Sequence, residues 1–150
     1  MSTRPGSTEP GRRGTCRAMQ YLVDTDWAIE FLRGSQRFVD RIGSLQPLGL
    51  AISVISLAEL CEGIAGAPDH DRRERQLLRF AEQLDVLGVD YEVARIFGGE
   101  RNRLRAEGRM IGDLDLLIGA TALRHDLTLL TNNRSHFERI SSLSIESIQA

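Results

Sequence analysis

The alternation of hydrophobic and polar positions predicts strands and helices that follow one another along the chain. Short apolar runs, such as those at 20–23 and 50–54, have the length and residue types of buried strands. Between these runs, apolar residues recur at the three-to-four-residue spacing of a helix with one buried face. This alternation predicts an α/β protein in which helices cover a central, mostly parallel sheet. The predicted strands are 20–23, 50–54, 85–88, 127–131 and 143–148, and the predicted helices are 26–33, 36–43, 57–65, 70–84, 91–107, 114–125 and 135–139.

Four polar residues stand where an apolar run gives way to a loop or to the start of a helix. They are Asp24, Glu59, Asp115 and Asn133. The carboxyl ends of parallel strands lie along one edge of a sheet, so these residues are predicted to meet in one crevice. Three converging carboxylates would repel one another unless a cation neutralised them. Oxygen ligands, with no histidine or cysteine expected beside them, favour Mg²⁺ or Mn²⁺ over zinc.

Each of these residues also has a purely structural interpretation. Asp24 is suited to cap the helix that follows it, because aspartate side chains often accept hydrogen bonds from the first helical amides. The sequence Ser56-x-x-Glu59 matches a capping box, in which serine and glutamate satisfy each other's backbone amides.

The remaining two positions have similar alternatives. Asp113 or Asp115 is suited to cap the next predicted helix, although two aspartates exceed what one cap requires. Asn133 is also suited to a turn with a left-handed backbone. It is the combination that favours a site, because independent caps would not be expected to recur with a carboxylate at successive strand ends.

Composition and length indicate a single domain with its own core. The chain has 150 residues, of which 41% are hydrophobic. Its longest apolar stretch, 48–60, is interrupted by polar residues and is too short for a membrane span. Arg12 and Arg13 are not followed by an apolar run of sufficient length, so we expect no export signal. Cys16 and Cys61 are predicted to be reduced thiols of a cytoplasmic protein.

The charge is divided unevenly between the first residues and the rest. Residues 1–18 are rich in Gly, Pro, Ser, Thr and Arg, and are predicted to be a disordered leader or an overextended start before a domain at 19–150. The leader has a charge of +3 within a total of −2, which leaves the domain acidic at −5. Bulk attraction to nucleic acid is therefore excluded, and any such substrate needs local basic residues and a metal.

Three blocks of sequence together resemble the PIN-domain ribonucleases, specifically the VapC-type toxins of bacterial toxin–antitoxin pairs. They are MQYLVDTDWAIEFLRG, SVISLAELCEGI and IGDLDLLIGATALRHDLTLLTNNRSHFERI. The resemblance implies a three-layer α/β/α fold with a twisted central sheet. It places the family's acidic residues at Asp24, Glu59 and Asp115. A fourth position, aspartate in many relatives, is Asn133 here.

The resemblance also implies a mechanism and roles for the site residues. Asp24 and Asp115 would hold Mg²⁺ or Mn²⁺, and Glu59 would hold or orient the water that attacks an RNA phosphorus. All three are predicted to be catalytic and to bind the metal. The residues predicted to orient them are Thr25, Asp26, Asp113, Thr131 and Asn133.

The partners implied by the resemblance are RNA, a second copy of the chain and a cognate antitoxin. The antitoxin is expected to place a basic side chain in the acidic crevice. Arg101 and Arg105 are candidates for binding RNA, although a solvated face paired with glutamates is the alternative. Those glutamates are Glu92, Glu100 and Glu107. The apolar residues Ile29, Phe31, Leu32, Leu60 and Ile64 are predicted to pack in the core, and a partner surface is the alternative.

Two other classes of protein remain to be considered. A phosphoacceptor receiver domain also gathers aspartates and Mg²⁺ at the end of a parallel sheet, but it needs a lysine to contact the phosphoryl group. The chain contains no lysine, which argues against that class. A catalytically silent binding module with the same fold is the second alternative, and the asparagine at position 133 keeps it open.

Overall fold

The structure is a computed structural model, and it describes residues 19–149. In this range the chain forms a five-stranded, wholly parallel sheet with the strand order β3-β2-β1-β4-β5. The predicted leader and Cys16 lie outside the described residues. The strands are β1 Tyr21–Val23, β2 Leu50–Ser53, β3 Asp85–Leu87, β4 Thr128–Leu130 and β5 Ile145–Glu146.

Seven helices connect and cover the described strands. Among residues 19–149, none of them has the length and apolar character needed to cross a membrane. A short 3-10 turn, Gln46–Leu48, leads into β2. The helices are α1 Thr25–Leu32, α2 Gln36–Leu45, α3 Val54–Ala65, α4 His70–Ala81, α5 Tyr91–Ala106, α6 Asp113–Arg124 and α7 Arg134–Phe137.

The central strand β1 separates two hydrophobic cores. Successive strand residues point to opposite faces of a sheet, and Leu22 and Val23 are both fully buried. Leu22 belongs to a cluster with Leu104 of α5 and Leu116 of α6. Val23 belongs to a second cluster, which includes Trp27 of α1. Helices therefore cover both faces of the sheet, and the predicted three-layer α/β/α fold is confirmed.

The junction between β2 and α3 differs from the predicted one. Strand β2 ends at Ser53 and α3 begins at Val54, whereas the pattern predicted a helix from residue 57. The Ser53 hydroxyl accepts a hydrogen bond from the Ile55 amide at 3.0 Å and so caps the helix. Ser56 and Glu59 consequently lie inside α3, and the capping-box interpretation of this pair is wrong.

The last strand is shorter than predicted. β5 contains only Ile145 and Glu146, which pair with Leu129 and Leu130 of β4, in place of the predicted 143–148. Beyond Glu146, hydrogen bonds that involve the side chains of Ser147 and Asn132 keep the chain beside the end of β4. Helix α4 likewise ends at Ala81 and not at 84, because the chain tightens into a turn before β3.

Candidate metal and active site

Asp24 lies directly after β1, and its side chain turns into the protein. Its backbone carbonyl accepts the first bond of α1, from the Ala28 amide, but its carboxylate makes no capping hydrogen bond. The carboxylate instead accepts a hydrogen bond at 2.7 Å from the hydroxyl of Thr131, which follows β4. The residue is only 4% exposed. The capping interpretation therefore does not explain this side chain.

The environment of Asp24 opposes its ionisation. Its pKa is raised to about 7, chiefly because the carboxyl is buried. The hydrogen bond from Thr131 lowers this pKa, whereas the negative charges of Asp26 and Asp115 raise it. Two further carboxylates therefore act on Asp24 through space, from α1 and from α6.

Asp26 is the second carboxylate in this group. Its Oδ2 accepts a hydrogen bond from the Asn132 amide at 3.0 Å, and its Oδ1 accepts one from the Trp27 amide at 2.8 Å. Burial raises the pKa of Asp26. The side chain thus ties the start of α1 to the loop after β4.

Asp115 projects from the first turn of α6 toward the same loop. Its Oδ2 lies 2.9 Å from Nδ1 of His136 and 3.5 Å from Nδ2 of Asn133. The capping position of α6 is Gly112, so neither aspartate of this turn is the N-cap. Asn133 has a φ of −88° and is not left-handed, so that interpretation is also wrong. The expectation that no histidine lies beside the carboxylates is wrong as well, because His136 contacts Asp115.

Asp113 points away from this group. Its Oδ1 accepts a hydrogen bond from Arg101 of α5 at 2.9 Å, and its side chain is 58% exposed. The charge of Asp113 is therefore directed to the surface between α5 and α6. Asp113 was predicted to orient the site carboxylates, but its described hydrogen bond goes to Arg101 and not to any of them.

Glu59 lies in the second turn of α3 and contacts the residue that follows Asp24. Its Oε1 accepts a hydrogen bond from the Thr25 hydroxyl at 2.5 Å, and the residue is half-buried. Thr25 follows Asp24 in the chain, so one hydrogen bond links Glu59 to the start of α1. The contact agrees with the predicted role of Thr25 in orienting a carboxylate.

The donor set suits a hydrated divalent cation better than a closed cage. Within residues 19–149, no three Asp, Glu, His or Cys side chains stand together as a ready-made coordination shell. Mg²⁺ takes one or two carboxylates and keeps several waters, so Asp24 and Asp115 suffice as its protein ligands. A cation beside Asp24 would also stabilise the ionised carboxylate that burial disfavours. The residues present therefore fit this kind of ion.

Comparison with known proteins decides the family. The sequence model of the PIN domain family matches residues 21–143 of the chain. Ribonuclease VapC1 of Haemophilus influenzae strain R2866 is 31% identical over 127 residues, which cover 83% of this chain and 95% of the relative. The chain is a PIN-domain protein of the VapC family. The resemblance inferred from the three sequence blocks is confirmed.

Solved structures agree with this assignment to the VapC family. VapBC2 from Rickettsia felis, bound to a DNA fragment from its promoter, aligns with a TM-score of 0.82 and 28% identity over 87% of this chain and 100% of that chain. VapBC-5 from Mycobacterium tuberculosis, a member of a family of toxin–antitoxin systems, aligns with a TM-score of 0.55 and 30% identity over 67% of this chain and 82% of that chain.

The arginines of α5 in this PIN domain mostly bind neighbouring acids. Arg103 pairs with Glu100 at 2.8 Å and with Glu107 at 3.0 Å, and the pairing with Arg103 lowers the pKa of Glu100. Arg95 pairs with Glu92 in the same way. Arg101 pairs with Asp113, as described above. The interpretation as a solvated, salt-bridged face is therefore confirmed for most of this helix.

Two residues of the candidate site were not predicted from the sequence. His136 follows Asn133 by three positions in the short helix α7, and this spacing after a strand is the signal that would have found it. Asn132 accepts a hydrogen bond at 3.0 Å from the indole of Trp27, which lies 105 positions earlier in the sequence. No local sequence pattern predicts a contact over such a separation.

Proposed function

We propose that this PIN domain is an endoribonuclease that hydrolyses RNA phosphodiester bonds with Mg²⁺ or Mn²⁺. The observation that carries the proposal is the buried carboxyl of Asp24, whose pKa is raised first by burial and further by the charges of Asp26 and Asp115. A buried carboxylate with other carboxylates near it is an arrangement that a divalent cation makes favourable. Membership of a family whose relatives are named ribonucleases gives the site its substrate class.

In this proposal the side chains divide the work of hydrolysis. Asp24 and Asp115 would hold the ion, and the hydroxyl of Thr131 fixes the direction of the Asp24 carboxylate. When bound, the ion supplies a positive charge beside the scissile phosphate. Glu59 orients the attacking water, and its bond from Thr25 keeps its carboxylate facing the start of α1.

We further propose that the protein acts in the cytoplasm as the toxin of a toxin–antitoxin pair and forms homodimers. An open cavity of about 290 Å³ between α1, α3 and α4 is suited to an apolar side chain of an antitoxin. Its walls include Ile29, Leu32, Leu60 and Ile64, and Arg33 and Arg73 also line it. Leu60 is buried, as predicted for the core, whereas the other three apolar residues are only partly buried. Glu59 also lines this cavity, so an antitoxin seated there would lie against the active site.

A cleavage assay on mixed cellular RNA tests the nuclease proposal. We expect cleavage with Mg²⁺ or Mn²⁺ and none with EDTA. The variants Glu59→Gln and Asp115→Asn are expected to lose about 100-fold or more of the rate, because each keeps its size but lacks the charge that acts on the ion or the water. The matched control is Glu62→Gln, an exposed glutamate of α3, which should cleave like the wild type. Undiminished cleavage by either site variant would contradict the assigned roles.

The silent binding module is the second candidate function, and the asparagine at position 133 is the observation that favours it. It predicts Mn²⁺ binding without any cleavage. Mapping the 5′ ends of cellular transcripts after induction of the chain separates the two functions. New ends support the nuclease and also identify its target, whereas their absence supports the module.

Arg105 is the better candidate for RNA binding on α5. It is exposed, and none of the described ion pairs includes it, whereas Arg101 is already paired with Asp113. We expect Arg105→Gln to weaken RNA binding and to reduce the slope of log affinity against log salt by about one. Arg95→Gln is the matched control, because Arg95 is bound to Glu92. Filter-binding measurements at several salt concentrations would refute the role of Arg105 if both variants kept the wild-type slope.

A further inference from the structure

The side chain of Asn132 joins three separate segments of the chain. Its Oδ1 accepts hydrogen bonds from the Trp27 indole at 3.0 Å and from the Ile148 amide at 2.9 Å. Its Nδ2 donates to the Ile148 carbonyl, also at 2.9 Å. The two bonds to Ile148 resemble those between paired strands. They hold the C-terminal segment, residues 147–149, beside the candidate site after β5 has ended.

Asn132 also stands between the residues that orient the carboxylates. On one side, the Thr131 hydroxyl donates to Asp24, and on the other, Nδ2 of Asn133 faces Asp115. The backbone amide of Asn132 itself donates to Asp26 at 3.0 Å. Any displacement of Asn132 therefore moves the partners of all three carboxylates together.

The C-terminal segment is fastened at further points near this loop. The Ser147 hydroxyl donates to the Thr131 carbonyl at 2.6 Å, and Arg134 donates to the Ser147 hydroxyl at 3.0 Å. Arg41 of α2 binds Glu146 through two hydrogen bonds. These contacts fix the position of the C-terminal segment, so that the backbone of Ile148 can in turn hold Asn132.

Packing alone does not fix Asn132. Asn132 is exposed, and it lines an open surface cavity of about 300 Å³ together with Asp26, Phe38 and Ile148. Close packing holds a buried side chain in place, because moving it would break many contacts. A side chain at the wall of a cavity has fewer such contacts and depends more on its hydrogen bonds. The side chain of Asn132 is therefore positioned by its hydrogen bonds to Trp27 and to the backbone of Ile148.

We propose that Asn132 is a positioning residue for the active site, and that the backbone of Ile148 in the C-terminal segment is what holds it in place. The inference rests on the proposed nuclease function. It assigns residues 147–149 a part in orienting the carboxylates, although within the described chain this segment makes no hydrogen bond to Asp24, Asp26 or Asp115. The alternative is a purely structural role, in which loss of Asn132 lowers stability and leaves the folded site unchanged.

Two variants remove the hydrogen bonds between Asn132 and Ile148 from opposite ends, and Asn132→Ala also removes the bond from the Trp27 indole. Asn132→Ala removes the side chain, and a chain that ends at Ser147 removes the amide and carbonyl of Ile148. Ile148→Ala is the matched control for the second, because it deletes the apolar side chain and keeps both backbone groups. Asn102→Ala, an exposed asparagine of α5, is the matched control for the first.

The measurements are the cleavage rate on mixed cellular RNA at saturating Mn²⁺ and the dissociation constant of Mn²⁺ alone, followed by electron paramagnetic resonance. Both are made at a temperature at which circular dichroism shows every variant folded. Asn132→Ala and the shortened chain should each lower the rate by about tenfold or more and weaken Mn²⁺ binding several-fold. Their combination should add less than about threefold to either alone, because residues that act through one interaction are not additive. Both control variants should stay within about twofold of the wild type.

Three results would overturn the inference. A lower melting temperature of Asn132→Ala with an unchanged rate and Mn²⁺ affinity would show a structural role only. Independent, multiplying effects of the two variants would show that Asn132 does not act through Ile148. A wild-type protein that neither binds Mn²⁺ nor cleaves RNA would refute the proposed function and this inference together, and so is distinguishable from the first two.

Discussion

Replacement of Asp24 by asparagine is expected to stabilise the metal-free protein at neutral and higher pH while abolishing RNA cleavage. The carboxyl of Asp24 has an ordinary pKa of 3.8 in the unfolded chain and a pKa of about 7 in the fold. Between these values the folded state retains a proton that the unfolded state has released, so stability falls as the pH rises. Above pH 7 the full cost has developed, and a gap of this size corresponds to about 4 kcal/mol. Asparagine does not ionise and keeps an oxygen that accepts the Thr131 hydrogen bond.

Urea unfolding of the metal-free wild type and of Asp24→Asn, from pH 4 to pH 8 in EDTA, measures this effect. The two curves of stability against pH should diverge with rising pH, with the variant the more stable. Mn²⁺ should then raise the melting temperature of the wild type and leave that of the variant nearly unchanged. Asp40→Asn, an exposed aspartate of α2, is the control and should follow the wild type. An Asp24→Asn variant that is no more stable than the wild type at pH 8 would show that burial of this carboxylate is not costly.

Replacement of Trp27 by alanine is expected to lower the free energy of unfolding by about 3–5 kcal/mol. The side chain is fully buried and packs edge to face on Phe38, with ring centroids 5.5 Å apart. Its loss would open a large cavity under α1 and free Asn132 from the indole. Trp27→Phe retains most of the ring volume and lacks the indole N–H, so it should cost about half as much or less.

Unfolding in urea, followed by circular dichroism, is the measurement, because Trp27 is the chain's one tryptophan and its fluorescence is lost in both variants. Tyr91, which is 76% exposed, provides the control Tyr91→Ala with little expected change. A loss of less than about 1 kcal/mol for Trp27→Ala would mean that the cavity closes by collapse of α1.

The layered fold followed from the sequence because its signals are local and repeated. Apolar runs, helical spacing and the punctuation between them each report the conformation of a few neighbouring residues. Asp24 was found in the same way, since it directly follows a strand at the edge where parallel strands end. The position of Glu59 was harder to interpret, because Ser53 and Ser56 are both suited to cap a helix. Only the bond from the Ile55 amide to Ser53 distinguishes them.

Contacts between distant segments had no comparable signal. The bond between Asn132 and Trp27, and that between Asp115 and His136, depend on how α1, α6 and the loop after β4 pack together. The side chains involved are polar and would be equally acceptable on the surface. Their roles are decided by three-dimensional packing, which the spacing of residues along the chain does not encode.

The direct passage from β2 into α3 limits how this chain can vary in length. Ser53 is both the last residue of the strand and the cap of the helix, so no loop lies between the sheet and Glu59. One inserted residue would turn the helix by about 100° and advance it by about 1.5 Å relative to the sheet. Glu59 would then face a different direction altogether. Related chains should therefore differ at this junction by exchange of side chains and not by gain or loss of residues.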